Sequence, residues 1–389
     1  MIKNQRNNLL EVLEALEKSP IFHFSLSSKE LFHSNFLYWL ADAYPKQFGK
    51  IFLSLLGLNK DCSTIKNIKR EKGNIDLSFE FIDGESVFIE NKVKSIPNEN
   101  QLERYSKKFK NNKNFKLILL SLSTPEFFKG KDNKIINSIN WTLISYKQLN
   151  EELEKCQLDN QYHQSLLNDY LVLINALLQI NDTCNLKEDN LFDFHADKSD
   201  YLKKLRELRM HDFYLKKMYE IFSMHIYKKL CDNFPNLKLL FAKKLDANNL
   251  ARKIYIHHGM TQATGLVDIK YHIIDDIALG IQIQGQSYKM LVECNKNYAD
   301  QNKNRLFKLA ELLHEEDLWF HFKDSSVSGH VIYPLKDKKF NKYGDVFRYK
   351  SVKLGTDKTI KEITDLIIKD FKHIDDNYNE IQKQIIKYA

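Results

Sequence analysis

Three charged residues stand at a spacing suited to metal-assisted chemistry: Asp76, then Glu90 and Lys92 with one residue between them. They lie in IDLSFEFIDGESVFIENK, residues 75–92, whose apolar residues form two alternating runs. A strand sends successive side chains to opposite faces, so Leu77, Phe79, Phe81, Val87 and Ile89 should share one core-facing side. Asp76, Ser78 and Glu80 then share the other side with Phe88, Glu90 and Lys92. Cross-strand partners must have numbers of equal parity, because a one-residue slip would invert every side chain. The register expected is Phe81 opposite Val87 and Phe79 opposite Ile89, which sets Asp76 across from Lys92 and diagonal to Glu90. A two-residue turn at Asp83-Gly84 would break both faces, so a three-residue loop or a bulge is implied.

Two carboxylates can hold a hard cation such as Mg²⁺, with Mn²⁺ as a substitute, and such a cation lowers the pKa of a bound water. An ammonium beside them can orient that water or offset charge developing on a phosphate. The grouping therefore suits hydrolysis of a phosphodiester. Glu80 shares the face but lies further along the strand. The bland alternative for Asp76, Glu90 and Lys92 is a ladder of cross-strand ion pairs on a half-solvated sheet.

The surrounding elements decide whether these residues can meet. Leu9, Leu10, Leu13 and Leu16 mark one face of a first helix, Asn4 to Lys18. Ser27 or Ser28 can cap a second, Lys29 to about Asp42, with Glu30 in its first turn, and a third spans Lys46 to Leu56 before Gly57. Thr64–Glu71, Ile75–Ile82 and Ser86–Val93 read as strands, followed by a helix from Pro97 and Asn98 to Lys110. Phe115–Leu122 and Trp141–Tyr146 read as buried strands, and helices Tyr146–Cys156 and Gln161–Ile180 close the unit.

The D-x13-E-x-K spacing and the order helix, three strands, helix, strand resemble the PD-(D/E)XK nuclease superfamily over roughly residues 25 to 150. The E-N-K triplet and the S-N-x-L-x-W-L run resemble a bacterial branch known simply as PD-(D/E)XK nucleases. The resemblance implies a restriction-endonuclease-like α/β core, metal binding by Asp76 and Glu90, and a catalytic role for Lys92. It also implies metal support from Glu30, and Gln101 with Tyr105 resemble the Q-x3-Y element of RecB-like members. Ile75 stands where the family's usual proline precedes the first carboxylate.

Other signals carry less. Arg104, Lys107, Lys108, Lys110, Lys113 and Lys116 form either a solvated face or a track for phosphates. Glu71 reads as a strand-end charge and His33 as packing or capping. His257 and His258 are adjacent on a strand and so point to opposite faces, which disfavours a shared ligand role. Asp268, followed by IQIQG, faintly echoes the hairpin with glutamines in place of the carboxylate and lysine.

The 389 residues suit two domains: a nuclease domain over 1–180, a polar junction over 181–200, and an α+β domain over 201–389. In the last, a long helix from Tyr201 to about Asp232 precedes alternating strand-like runs, a helix from Tyr298 to His314 and a terminal helix from Thr356 to Tyr388. This domain is expected to clamp substrate or bind a partner. The five cysteines are scattered, with no C-x-x-C pair, which disfavours a zinc or iron–sulfur centre. The most apolar stretch, Tyr170–Ile180, is far shorter than the roughly 20 residues of a spanning helix, and the N-terminus lacks a signal-peptide core. A cytoplasmic protein without membrane association is expected. The formal charge of +8 favours a polyanionic partner.

The leading expectation is a Mg²⁺-dependent DNA endonuclease, in a restriction-like or defence setting, with a possible homodimer or partner protein. An RNA nuclease on the same site is a second reading. A nucleic-acid-binding scaffold with a retired site is a third, which the intact Asp–Glu–Lys set disfavours.

Overall fold

The computed structural model describes residues 2–25, 30–95, 97, 99–110, 113–128, 130–194, 199–241, 252–261, 264–274, 277–295, 305–321 and 340–388. They form two units: residues 1–184 with 199–214, and residues 185–198 with 215–389.

The first unit opens with helices α1 (Ile2–Lys18), α2 (Pro20–Ser25), α3 (Glu30–Ala43) and α4 (Pro45–Leu55). Strands β1 (Ile65–Lys72), β2 (Ile75–Phe81) and β3 (Ser86–Lys92) follow as an antiparallel meander. Helix α5 (Glu99–Phe109) then crosses over to β4 (Phe115–Ser121), which runs parallel to β3. Strands β5 (Asn133–Ile136) and β6 (Ile139–Ser145), then α6 (Tyr146–Glu154) and α7 (Gln161–Thr183), complete the core. The sheet order is β1-β2-β3-β4-β6-β5.

Both faces of this sheet are covered. On one, Phe48 and Phe52 of α4 pack edge-on to Phe79, with ring centroids 5.6 and 5.3 Å apart. On the other, Leu102, Tyr105 and Phe109 of α5 cluster with Leu117, Leu119, Trp141 and Leu143. Phe88 joins that cluster, its ring centre 4.6 Å from that of Phe109, so the face carrying Glu90 is apolar further along the strand. Each fully buried aromatic among these contributes about 2 kcal/mol through removal from water.

The β2–β3 hairpin keeps the expected parity but not the expected register. Leu77 pairs with Ile89 and Phe79 with Val87, one pair closer to the turn than the sequence pattern suggests. The N–H of Phe81 donates to Glu85 O and that of Gly84 to Phe81 O, both at 2.9 Å, which closes a three-residue loop. Gly84 takes φ +88, and no atom lies near where its Cβ would stand, so backbone conformation alone selects glycine. Closing the loop over residues 82–84 puts Asp76 level with Glu90 rather than Lys92. Every side chain stays on its expected face.

Other departures are local. Helix α2 and strand β5 carry no pattern that announces them. The helix expected over Tyr201–Asp232 is two, α8 (Asp200–Glu207) and α9 (His211–Asn233), broken where Arg209 takes φ 52. The Met210 N–H then reaches back to Leu205 O at 2.8 Å. Residues 199–214, expected largely with the second domain, group with the first unit. The Ser27 or Ser28 cap and the start of the helix from Tyr298 lie outside the described residues.

The second unit holds a seven-stranded sheet ordered β12-β13-β11-β10-β9-β8-β7. Its strands are β7 (Lys238–Phe241), β8 (Lys253–Thr261), β9 (Thr264–Ile274), β10 (Ile277–Gln284), β11 (Ser287–Cys294), β12 (Asn341–Tyr343) and β13 (Phe347–Lys353). Among the described residues only its β7–β8 pair is parallel. Helices α10 (Arg305–Glu315), α11 (Ile360–Asp376) and α12 (Tyr378–Tyr388) accompany it, the last two replacing the single terminal helix expected. Part of the polar junction folds here: Phe192 and Phe194 are buried, and the Phe192 N–H donates to Lys358 O at 2.7 Å. Among the described residues no helix is long and apolar enough to cross a membrane.

Candidate active site

Strand alternation brings Asp76, Glu90 and Lys92 to one side of the β2–β3 hairpin, where α5 begins to cover the sheet. Glu90 is only 2% exposed. Its Oε1 accepts from Lys92 Nζ at 2.8 Å and from the Gln101 amide at 2.6 Å. Its Oε2 is buried and has no hydrogen-bond partner. Burial and the neighbouring Asp76 carboxylate push the Glu90 pKa up to about 7.

Asp76 is raised too, mainly by burial. The Asn91 N–H, which donates to Asp76 Oδ2 at 2.6 Å, and the Lys92 charge oppose that rise, while Glu30 and Glu71 add to it. Burial alone would lower the Lys92 ammonium, yet Glu90, Glu30 and Asp76 hold it above its ordinary value. The site is therefore an excess of buried negative charge around one cation. A second cation would relieve that excess.

Gln101 and Tyr105 sit one turn apart on α5. The Gln101 amide also donates to the Tyr105 hydroxyl at 2.9 Å, so one side chain links Glu90 to Tyr105. Glu30, the first residue of α3, accepts from both the backbone N–H and the hydroxyl of Ser95. Its charge acts on Asp76, Glu90 and Lys92, so the structure brings all six candidates together.

The basic run behaves differently. Arg104, Lys107, Lys108, Lys110 and Lys113 are exposed. Of these, Lys108 reaches toward the cluster, with Nζ 5.4 Å from the Tyr105 ring centre and 3.0 Å from Gly73 O. Lys116 is drawn away to Glu85 at 3.6 Å. Glu71, near the end of β1, takes a left-handed conformation, φ 53, and reaches the site through its charge on Asp76.

Residues 20–172 match the family model of the PD-(D/E)XK nuclease superfamily. That segment is similar to the superfamily over this span. The matched segment spans α2 through the first half of α7 and contains Glu30, Asp76, Glu90, Lys92, Gln101 and Tyr105. Comparison with curated proteins and with solved structures gives no match.

Several residues that hold this side-chain cluster in place are not evident from sequence. Asn91, between Glu90 and Lys92, points to the opposite face and is 2% exposed. Its amide donates to Ser34 Oγ at 3.1 Å, and its oxygen accepts from the Tyr146 hydroxyl at 2.7 Å. Behind it His33 meets the Tyr170 hydroxyl at 3.0 Å. Burial, helped by the Lys94 charge, pulls the His33 pKa down to about 3, so this histidine is a neutral packing group. The E-N-K triplet is the one sequence signal for Asn91. Tyr146 and Tyr170 read only as helix positions.

Proposed function

We propose that the first unit is a divalent-metal-dependent nuclease that hydrolyses phosphodiester bonds, with DNA as substrate and Mg²⁺ as its ordinary cofactor. The observation that carries this reading is Glu90: one oxygen is pinned by Gln101 and Lys92, while the other is buried without a partner beside a second carboxylate, Asp76. An unpartnered buried carboxylate oxygen is costly unless it has a ligand, and a hard cation fits that donor. Among the described residues no set of three His, Cys, Asp or Glu side chains converges, so Asp76 and Glu90 would hold the ion with waters completing its shell.

When bound, the cation supplies Lewis acidity and lowers the pKa of water. The protein's own groups do the rest. Lys92, kept protonated by the surrounding carboxylates, orients the attacking water and offsets charge gathering on the phosphate. Gln101 fixes the Glu90 rotamer, and the Tyr105 hydroxyl still has a proton to offer a phosphate oxygen. Arg104, Lys107, Lys108, Lys110 and Lys113 supply a sequence-independent hold on the backbone. The chain acts in the cytoplasm in a restriction-like or defence role, alone, as a homodimer or with a partner protein. Its second domain clamps substrate or binds that partner.

The test is incubation of the full chain with plasmid, single-stranded DNA and RNA in Mg²⁺, Mn²⁺ or EDTA. Cleavage of DNA with either metal and none in EDTA is expected. Cleavage of RNA alone would move the substrate, and cleavage unaffected by EDTA would remove the metal.

A further inference from the structure

The second unit contains a half-buried pair of histidines, each satisfied on one ring nitrogen only. His321 faces Asp370 through Nε2 at 3.3 Å, and Asp370 is itself buried and accepts from the Tyr288 hydroxyl. His373, in the last turn of α11, bonds to the backbone at Asp317 and Leu318. The other nitrogens, His321 Nδ1 and His373 Nε2, are buried with no hydrogen-bond partner. The ring centres lie 4.2 Å apart at 48°, at the wall of a cavity of about 630 Å³.

Carboxylates and carbonyls only accept, so the nitrogen facing each must carry the proton. Both remaining nitrogens then present lone pairs in the same region. A histidine oriented through its far nitrogen by a carboxylate or carbonyl is the arrangement that prepares imidazole for a metal. Imidazole favours zinc, copper or nickel over magnesium, which prefers oxygen donors. We propose that His321 Nδ1 and His373 Nε2 form a binding site for a borderline divalent cation of the zinc type, separate from the Asp76–Glu90 centre. Among the described residues no third His, Cys, Asp or Glu side chain converges there, so water fills the remaining positions. Asp365 and Asp376 line the same cavity together with Lys229, Lys369 and Lys372. The two imidazoles and the buried Asp370, not the charge of the lining, therefore carry the preference for a cation.

The experiment is calorimetric titration of the metal-stripped full chain with Zn²⁺ in excess Mg²⁺, which keeps the first centre filled with its own ion. A zinc site that survives Glu90→Gln is expected. Its affinity should fall at least tenfold in His321→Gln or His373→Gln, and roughly 10- to 100-fold in Asp370→Asn, which loses the orienting charge. As a variant-independent reading, nitrogen-15 spectra of the wild-type histidines should show Zn²⁺ moving one nitrogen of each of these two rings. Absence of Zn²⁺ binding, binding undiminished in folded histidine variants, or unmoved resonances would each overturn the site and leave a packed histidine pair. None of these outcomes depends on nuclease activity.

Discussion

The side-chain amide of Gln101 donates to Oε1 of Glu90 at 2.6 Å, tying α5 to β3 at the point where Lys92 also arrives. Glu90 therefore has one oxygen committed inside the protein and one left over.

Gln101→Leu should remove that restraint while keeping most of the side-chain volume. Metal affinity or cleavage rate should fall roughly 10- to 100-fold, the usual effect of removing a group that orients a metal ligand. Secondary structure by circular dichroism should be unchanged. Undiminished turnover in Gln101→Leu would reduce the bond to packing.

Lys92 and Asp76 should separate in a Mn²⁺ titration. Lys92→Ala removes a positive charge beside the carboxylates, so metal affinity should stay equal or rise slightly while cleavage collapses. Asp76→Ala should lose affinity and cleavage together. A Lys92→Ala chain that cleaves at the parental rate would reduce Lys92 to a structural partner of Glu90.

The exposed basic residues should reveal themselves through salt. Log affinity for duplex DNA should fall linearly with log salt. Each phosphate interaction removed by neutralising Lys107, Lys108, Lys110 or Lys113 should flatten the slope by about 0.9. Fluorescence anisotropy with a catalytically inactive chain measures this directly. A slope insensitive to all four would leave the run as solvated surface.

His33 gives the first unit a pH dependence independent of metal. Its pKa drops from 6.5 to about 3 on folding, so the unfolded chain binds the extra proton between those values. Stability is fully present above pH 6.5 and is lost as pH falls, by up to about 1.4 kcal/mol per pH unit. Glu90, raised to about 7, works in the opposite direction over the same range. The His33 contribution should therefore appear as the difference between the parent and His33→Gln in urea unfolding from pH 7 to 5, the variant losing less stability as pH falls. Identical pH dependence in the two chains would contradict the His33 contribution.

The faces of the hairpin are legible because alternation in Leu77, Phe79, Val87 and Ile89 admits one arrangement with a buried side. The register is not, because parity cannot distinguish pairings two residues apart; loop closure at Gly84 decides it. Glu30, Gln101 and Tyr105 emerge through family resemblance, since their spacing alone permits a solvated helix face. Asn91 is hidden by its polarity: an amide on the core side of a strand is tolerated only because Ser34 and Tyr146 satisfy it, and both are distant in sequence. The break at Arg209 carries no glycine or proline to announce it. Strand β13 is masked because Arg348 and Lys350 interrupt its pattern, yet both are buried along their apolar stems.

The central claim is that Glu90 supplies a metal-binding oxygen, and Glu90→Gln tests it most directly. The substitution keeps shape and an acceptor for Lys92 but removes the charge that would hold the ion. Rates of Mg²⁺-dependent DNA cleavage should be compared for parent and variant, alongside thermal melts without metal. Cleavage should be lost, and the metal-free variant should melt no lower than the parent, because a buried carboxylate with an unpartnered oxygen has gone. A folded Glu90→Gln chain that cleaves DNA at the parental rate would contradict the account.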